Sequence, residues 1–416
     1  MTKVPVYRVA THLRGLALVA LLAGCSSITE PSQPGAALTT LPRSLSPSEQ
    51  SLISATNDFS FSLFRQISAA QKDSNVFTSP LSASLALGMT MNGAANTTLS
   101  QMRSTLAFGS TTETDIDAGY KSLIALLRGL DPTVDVRIAN GIWYRSGYSV
   151  KQAFLDAGRT YFDAQIAAID FNSPSATTTV NDWVSTATAG KIPTIVERLS
   201  DLDMILVNAI YFKGSWRQRF DPAETSDQPF HGVAGDQPMR LMHHKGSVSF
   251  TSNENYTAVD LPYGDSAYTM TVVLPGNNQS VDALAATLMQ RSAWNTLLGQ
   301  MGPASVDVCI PKLKVEWERN LNADLIALGM PDAFSDLAAD FSRLAAQPSK
   351  ISYVKQKAYV DINEEGTEAA AVTAVGIYAS SVMINPEFRA DRPFIFVIRE
   401  QLTGTIVFMG KIVRMP

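Results

Sequence analysis

The sequence is poor in cysteine, in histidine and in excess positive charge. Its 416 residues include two cysteines and four histidines, and the formal net charge at pH 7 is −5. Two cysteines allow at most one disulfide, so stability must come mainly from buried apolar surface. Cys309 lies in an apolar run that alternates with polar residues, which predicts a small buried side chain. The absence of a basic excess argues against nucleic acid as a partner.

The motifs of common enzymes are also missing. The chain contains no G-x-S-x-G elbow, no H-E-x-x-H pair, no P-loop and no G-x-G-x-x-G turn. His243 and His244 are adjacent and could bind a metal ion, but a solvated pair in a loop is the simpler interpretation. Ser79 precedes Pro80 at a predicted helix start, which is typical of an N-cap and not of a nucleophile. We expect neither enzymatic activity nor a metal or cofactor.

The first 25 residues have the pattern of an export signal. Lys3, Arg8 and Arg14 supply positive charge before an apolar run, Leu16–Ala23, that is too short to span a bilayer as a helix. The run ends in Leu-Ala-Gly-Cys, which resembles the bacterial lipobox, and acyl chains on Cys25 would anchor the protein to a membrane. Ordinary secretory cleavage beside an incidental cysteine, or a start site placed too early, is the alternative.

This signal predicts an exported, membrane-anchored bacterial lipoprotein, and Ser26 after the cysteine is compatible with sorting to the outer membrane. The sequence leaves open whether the protein faces the periplasm or the exterior, and it also allows a soluble extracellular form. Residues 26–46 are rich in Ser, Thr, Pro and Gly and predict a flexible tether. The expected organisation is a signal over 1–25, a tether over 26–46 and a globular domain over 47–416.

The globular part combines helical and strand patterns. Helical spacing begins after Pro47 with Leu52, Ile53, Phe59, Leu63 and Phe64. An early helix-rich half and a later strand-rich half predict an α+β domain with large sheets. Further helices are predicted at 79–92, 98–107, 113–129, 151–163 and 174–189, and strands at 134–144, 203–213, 258–262, 267–274, 304–310, 351–362, 394–399 and 404–413.

One segment lacks bulk and lies between strand-like runs. Asn363–Val375 reads NEEGTEAAAVTAV, and alone it would favour an alanine-rich helix. The whole stretch from Glu364 to Pro393 lacks a core pattern, and connections of that length are usually functional or disordered. If the segment were extended, every second residue would face one side of a sheet, and none of these residues would be charged or bulky. They are Thr367, Ala369, Ala371, Thr373 and Val375.

The segment resembles the hinge of the reactive-centre loop of serpins, and other fragments resemble that family in the family's order. They begin with NVFTSPLSASLALGMTMNGA (75–94) and end with FRADRPFIFVIREQLTGTIVFMGKIVRMP (388–416). Between them lie NGIWY (140–144), LVNAIYFKGSW (206–216), LPY (261–263), VVLPG (272–276), IPKLKV (310–315) and LGMPDAFSDLAADFS (328–342). Each fragment alone is weak, but together they are specific for the family.

The resemblance implies a fold of about nine helices around three β-sheets, with an exposed reactive-centre loop at about 364–392. It also implies a monomeric inhibitor that acts as a suicide substrate. A serine protease, or alternatively a cysteine protease, attacks the loop and forms an acyl-enzyme. The cut loop then inserts into the main sheet as a new strand, and the distorted protease stays trapped.

The resemblance assigns residues to three clusters. The hinge is the start of the loop, the breach is the top of the main sheet where insertion starts, and the shutter is a polar cluster beneath the central strands. In the shutter, Gln356 replaces the histidine of many serpins; glutamine can still donate and accept hydrogen bonds, but the pH sensitivity of histidine is lost. In the breach, the alternative to a functional Glu364–Lys312 ion pair is a surface pair contributing under about 1 kcal/mol. The hinge comprises Glu364, Glu365, Gly366, Thr367, Glu368, Ala369, Ala370 and Ala371; the breach Trp216, Lys312 and Glu364; and the shutter Ser79, Ser82, Asn208 and Gln356.

The bond to be cut follows from the spacing in inhibitory serpins. Counting from the hinge glutamate predicts cleavage between Ser380 and Ser381, after a small residue that suits elastase-like proteases. Cleavage after Tyr378 would instead suit chymotrypsin-like or cathepsin-like enzymes. No Arg or Lys lies between Glu364 and Phe388, which disfavours trypsin-like targets. The alternative positions are Tyr378, Ala379 and Val382.

A non-inhibitory serpin, acting as a binding module or a protease decoy, is the other functional interpretation. Gln356 and the uncertain cleavage position keep that interpretation open. Against it, non-inhibitory relatives commonly carry proline, charged or bulky residues where this hinge has small ones. We therefore expect inhibition.

Overall fold

The computed structural model describes residues 1–3, 35–367 and 385–416. Met1–Ser32 form one compact unit, of which only the first three residues are described, and Gln33–Pro416 form a second. The fold described below is that of the second unit. Within the described ranges, no helix combines the length and the apolar character needed to cross a membrane.

The helices begin at signals that the sequence displays. Ser46 and Glu49 form a reciprocal capping box at the start of the first helix, and Ser79 caps the second, as its position before Pro80 predicted. The helices in the described ranges are α1 (Pro47–Ala70), α2 (Pro80–Met91), α3 (Asn96–Thr105), α4 (Glu113–Gly129), α5 (Gln152–Phe162), α6 (Ala176–Ala187), α7 (Val281–Leu288), α8 (Arg291–Gln300) and α9 (Asn322–Ala327).

Each helix and strand predicted from periodicity corresponds to an observed element, with ends displaced by at most four residues. The strands are β1 (Val76–Thr78), β2 (Val134–Arg145), β3 (Ala164–Ile169), β4 (Met204–Ser215), β5 (Ser226–Gly232), β6 (Gly235–Ser252), β7 (Tyr256–Pro262), β8 (Tyr268–Pro275), β9 (Gly302–Pro311), β10 (Leu313–Asn320), β11 (Lys355–Asn363), β12 (Gly366–Thr367), β13 (Glu387–Arg389), β14 (Phe394–Glu400) and β15 (Ile406–Ile412).

The strands of the described residues form two hydrogen-bonded sheets. The main sheet has the order β10-β11-β12-β4-β2-β3, and the second has the order β1-β15-β14-β8-β7-β6-β9-β13 with β5 added on β6. The α+β class is confirmed, but the count of three sheets is not reproduced by the hydrogen bonding. Strand β6 pairs along its length with β5, β9 and β7 in turn, and this joins two groups of strands into one sheet.

The core lies between the two sheets and the helices that cover them. The apolar residues that recur along α1 are all buried, as their spacing predicted. Helix α2 is buried on nearly every side and packs against β4 of the main sheet and β15 of the second. Cys309 is buried, in agreement with its alternating sequence pattern, and burial raises the pKa of its thiol to about 11.

Residues 35–46, which were expected to belong to the tether, pack against the domain. The Leu38 amide donates to the Asp265 carbonyl at 2.6 Å. Arg43 makes two hydrogen bonds to the buried carboxylate of Glu49, and this contact is the main cause that lowers the pKa of Glu49 to about 2. The tether prediction is wrong here, because averaged composition concealed regularly spaced leucines. Those that pack against the core are Leu38, Leu41 and Leu45.

The far end of the predicted reactive-centre loop, 364–392, also differs from the expectation. β13 pairs in parallel with β9, and Phe388 and Ala390 are fully buried. The expectation that no core would absorb this stretch is therefore wrong for these residues. A strand of three residues is too short for its alternation to be recognised in a sequence.

His243 and His244 lie on strand β6 and not in a loop. Adjacent residues of a strand point to opposite faces. His243 lies 3.4 Å from the carboxylate of Glu224, whereas the ring of His244 packs edge-on against Phe220. The pair therefore does not converge on one ion, and the described part of the chain contains no group of three His, Cys, Asp or Glu side chains suited to a metal.

Candidate functional site

The first residues of the hinge form a strand inside the main sheet. Gly366 and Thr367 make up β12, which lies between β11 and β4 and is antiparallel to both. Thr367 pairs with Ile362 on one side and with Gly214 on the other. Past Thr367, the facing edges of β11 and β4 have no partner strand among the described residues. Within the described part of the chain, a slot flanked by these two strand edges therefore begins where β12 ends.

Main-chain hydrogen bonds fix the turn that leads into this slot. The Trp216 amide donates to the Glu365 carbonyl at 2.7 Å, and the Phe220 amide donates to the Glu364 carbonyl at 2.9 Å. The Glu365 amide donates to the side-chain oxygen of Asn363 at 3.0 Å. The turn between β11 and β12 is thus held from both sides, which gives β12 a defined starting register.

Gly366 meets two requirements that only glycine satisfies. Its φ angle of +152° is one that residues with a Cβ atom rarely adopt. A Cβ atom at this position would lie 2.1 Å from the Gly214 carbonyl oxygen, which is far inside van der Waals contact. The φ angle suits the bend by which the chain leaves β11, and the close approach of β4 leaves no room for a side chain.

Thr367 points into the interior beneath the main sheet. Its hydroxyl lies 2.8 Å from the Tyr263 hydroxyl, and only 2% of the surface of Thr367 is exposed to solvent. Burial raises the pKa of Tyr263 well above its usual value, so the phenol keeps its proton, and either hydroxyl of this pair can be the donor. The Trp216 ring stacks on Tyr263 with centroids 4.4 Å apart and donates from its Nε1 to the Asn363 carbonyl. These contacts form a closed lining at the entrance of the slot.

Glu364 is buried and carries two side-chain partners. Lys312 Nζ lies 2.8 Å from one carboxylate oxygen, and the Thr225 hydroxyl donates to the other at 2.9 Å. Burial opposes ionisation of Glu364, but these two donors outweigh it and hold its pKa below the usual range. The alternative of a loose surface pair is disfavoured, because the carboxylate side chain is only 10% exposed.

Two of the four predicted shutter residues bind each other directly. Gln356 Nε2 donates to the Ser79 carbonyl at 2.7 Å, and its Oε1 accepts from the Thr78 hydroxyl and the Ser79 amide. The Ser79 hydroxyl donates to the Val407 carbonyl of the second sheet. Glutamine therefore preserves a polar link between β11, the start of α2 and the second sheet.

The other two shutter residues line a cavity of about 310 Å³ at the slot. Among the described residues, Asn208 forms no hydrogen bond with Ser79 or Ser82; its Nδ2 donates to Asn140 Oδ1 at 2.7 Å. Its Oδ1 is buried and has no hydrogen-bond partner among the described residues. Lining residues from β4, β11 and α2 include Met204, Leu206, Asn208, Lys355, Gln356 and Ser82.

The remaining predicted residues lie outside the described ranges: Glu368–Ala371 of the hinge, Tyr378–Val382 around the cut bond, and Cys25. Three contributors to the site escaped the sequence analysis, namely Tyr263, Thr225 and Thr78. Tyr263 stood in the quoted fragment LPY, but nothing local indicated a contact with the hinge. Such partners are distant in sequence, so only the fold brings them together.

Comparison with known proteins agrees with this geometry. Residues 54–415 match the family model described as serpin (serine protease inhibitor). The leukocyte elastase inhibitor of Xenopus laevis is 34% identical over 380 residues, which cover 87% of this chain and 99% of the relative. Human thyroxine-binding globulin in complex with its hormone has a TM-score of 0.80 at 29% identity, covering 88% of this chain and 99% of that one. Tengpin, a thermophilic serpin in its native state, has a TM-score of 0.79 at 30% identity, covering 91% and 97%.

Replacing Gly366 by alanine should destabilise the hinge. The added Cβ atom would collide with the Gly214 carbonyl and would force an unfavourable φ angle. We expect the free energy of unfolding of the uncut protein to fall by about 2 kcal/mol, measured by denaturant titration.

Gly129→Ala is the matched control, because nothing lies within 4 Å of the added methyl group and the residue ends helix α4. That variant should unfold like the wild type or at slightly higher denaturant. Equal stability of Gly366→Ala and wild type would show that β12 does not occupy the sheet in solution.

Proposed function

The chain belongs to the serpin family, and we propose that it inhibits a serine protease as a suicide substrate. The protease nucleophile would attack the Ser380 carbonyl, the peptide bond to Ser381 would break, and an ester would join Ser380 to the enzyme. The arm ending at Ser380 would then enter the slot between β11 and β4 and carry the protease along. The chain would be consumed in this process, which makes it an inhibitor and not a catalyst.

The register of β12 is the observation that carries this proposal. Two hinge residues already pair with both neighbours of the slot, so further residues can add in the same register without any new topology. Continuing it would place Ala369 between Phe212 and Val360, which are both buried. The next inward residue, Ala371, would also lie between buried apolar positions. Small side chains at these places allow entry, whereas a charged side chain would be buried without a partner.

The energetic drive would come from main-chain pairing. Each inserted residue adds ladder hydrogen bonds worth about 1 kcal/mol net, and about a dozen residues would together match the stability of a typical domain. The unpaired edges of β11 and β4 are the acceptors and donors of that ladder. The uncut chain would therefore be metastable relative to the cut one.

The proposed target is an elastase-like protease, with chymotrypsin-like and cysteine proteases as further targets. The small side chain of Ser380 fits a shallow primary pocket, and Tyr378 offers a second site to enzymes that prefer aromatic residues. Similarity to leukocyte elastase inhibitors supports the same class. A panel of serine and cysteine proteases, tested for covalent complexes, would identify the target.

A non-inhibitory binding module is the second candidate function. The observation that favours it is the likeness to thyroxine-binding globulin, a serpin that was solved with a bound hormone. The small residues of the hinge and the defined register of β12 favour inhibition instead. Cleavage of the loop distinguishes the inhibitory function from the binding function.

Elastase cleavage should raise the melting temperature of the protein by many degrees, because insertion adds a strand to the main sheet. Mass spectrometry of the released fragment should show Ser381 as its first residue. If the cleaved and the uncut protein have the same melting temperature, the result would support the binding module or decoy. A different first residue would move the cut to one of the alternative bonds.

Thr367→Arg should convert the protein from an inhibitor into a substrate. A guanidinium group at position 367 would be buried beside Tyr263 without an anion, which would expel β12 from the sheet and so remove the register from which insertion starts. The measurement is the yield of SDS-stable complexes per protease added.

Thr178→Arg is the control, since Thr178 is exposed on helix α6 far along the chain from the hinge. It should form complexes as the wild type does. Wild-type yield from Thr367→Arg would contradict the burial of this position during inhibition.

We further propose that the protein is exported and anchored to a membrane through acyl chains on Cys25. The support is the charged and apolar pattern before that residue, together with its Leu-Ala-Gly-Cys ending. In detergent phase partition of cell extracts, the wild type should enter the detergent phase and Cys25→Ser the aqueous phase. A wild-type protein in the aqueous phase would contradict the anchor and favour a soluble exported form.

A further inference from the structure

Asp117 is a buried carboxylate whose charge has little support from its neighbours. It lies on α4, and only 6% of its surface is exposed to solvent. Its Oδ1 accepts from Asn92 Nδ2 at 3.0 Å, and Asn92 directly follows the last residue of α2. Among the described residues, no other hydrogen bond reaches this carboxylate. A single neutral donor is weak compensation, because a buried charge is costly unless a cation or several donors satisfy it.

The cation that acts on Asp117 is Arg343, and it is already bound to other groups. Its Nη2 donates to Glu113 Oε2 at 2.7 Å, and its Nη1 donates to the Ala94 carbonyl at 3.3 Å. Glu113 lies four residues before Asp117 on α4, so its negative charge opposes a second one there. The effects of Arg343 and Glu113 on Asp117 therefore have opposite signs, and the ion pair gives the carboxylate little net support.

The elements that surround α4 bring no direct ionic partner to Asp117 within the described ranges. Helix α2 has no ionisable side chain. Helix α1 presents Glu49 to α4, but Arg43 binds that carboxylate. Tyr120 follows Asp117 on α4 and packs against Phe162 of α5; burial raises the pKa of Tyr120, so its phenol stays neutral. The charged residues of α5 and β2 lie in other ion pairs, namely Asp156 with Arg159, Asp135 with Arg137, and Arg145 with Asp203.

We propose that Asp117 is a proton-binding switch that makes the folded domain more stable in mild acid than at neutral pH. Burial is the main cause that raises the pKa of Asp117 to about 6; the Asn92 donor and Arg343 offset part of this effect, and Glu113 adds to it. In an unfolded chain, an aspartate binds its proton only near about pH 4. Because the folded state binds the proton more tightly, the stabilisation is complete below the unfolded value and is lost as the pH rises through the folded one.

The switch acts on a helix that also reaches the slot. Asn92 Nδ2 donates to the Gly88 carbonyl at 3.3 Å as well as to Asp117, so this amide joins the end of α2 to α4. The other end of α2 begins at Ser79, which binds Gln356 of β11. Protonation would remove a buried charge at the junction of α2 and α4 while leaving an oxygen to accept from Asn92. The contact between the two helices would therefore be strongest in the protonated form.

The test measures the unfolding of the uncut protein by denaturant titration at several pH values between 5 and 7. Asp117→Asn cannot ionise and keeps an oxygen that can accept from Asn92. The ratio of the wild-type folding constant to that of the variant should therefore rise about tenfold from pH 7 to pH 5. A ratio that stays constant over this range would overturn the proposal.

Asp182→Asn is the matched control, because Asp182 is exposed on helix α6. The ratio of the wild-type folding constant to that of this variant should not change between pH 5 and pH 7. Both ratios cancel the contributions of other groups with shifted pKa values that all the proteins share, such as Glu400 and His244. A control ratio that rises as steeply as the Asp117 ratio would also overturn the proposal, since it would show no special role for the buried site.

Two further variants test the geometry and apply even if Asp117→Asn does not fold. Asn92→Ala removes the donor to the carboxylate, so the midpoint of proton binding should move above that of the wild type. Glu113→Gln removes a like charge and weakens the hold on Arg343, so the midpoint should move below it. The midpoint is read from the ¹³C resonances of labelled aspartate carboxyl groups. Unchanged midpoints in both variants would overturn the assignment to Asp117. No protease enters these measurements, so their outcome does not depend on the proposed inhibitory function.

Discussion

The structure depends on the separation of two strands of the main sheet by a strand of only two residues. β12 pairs with both β11 and β4, and past its end the two edges have no partner among the described residues. Unpaired main-chain groups inside a sheet are costly unless a further strand or water satisfies them. In the proposed mechanism, a chain that keeps such a slot would hold free energy in reserve, and the small hinge residues would release it by pairing with both edges.

The entrance of the slot and its interior are built differently. At the entrance, the contacts are already made: the Glu364 carboxylate binds Lys312 and Thr225, and the Thr367 hydroxyl meets Tyr263. Further inside, Asn208 lines the cavity, and its buried side-chain oxygen has no hydrogen-bond partner in the ranges that the structure describes. The starting register is therefore fixed in advance, whereas the interior still has contacts to gain. In the proposed mechanism, a strand that starts at the hinge would therefore insert from the entrance of the slot toward its interior.

Sequence patterns predicted most of the elements, because each depends on neighbouring residues. The Ser79 N-cap and the apolar spacing of α1 are local signals, and the structure confirms them. The errors arose where the signal was short or diluted. Phe388 lies in a strand of three residues, and the leucines at 38, 41 and 45 are surrounded by tether-like composition. His243 and His244 were predicted to lie in a loop because Lys245, Gly246 and Ser247 follow them, but they continue β6 after the buried Leu241 and Met242.

The sequence by itself determined the family and the hinge composition, since these follow from residue types at fixed spacing. Only the tertiary structure decided the register of the hinge, the pairing of Glu364 with Thr225, and the hydrogen bond of Asn208 to Asn140. Contacts of this kind join residues that are tens to hundreds of positions apart. Their distances are set by how sheets and helices pack, and no local pattern records them.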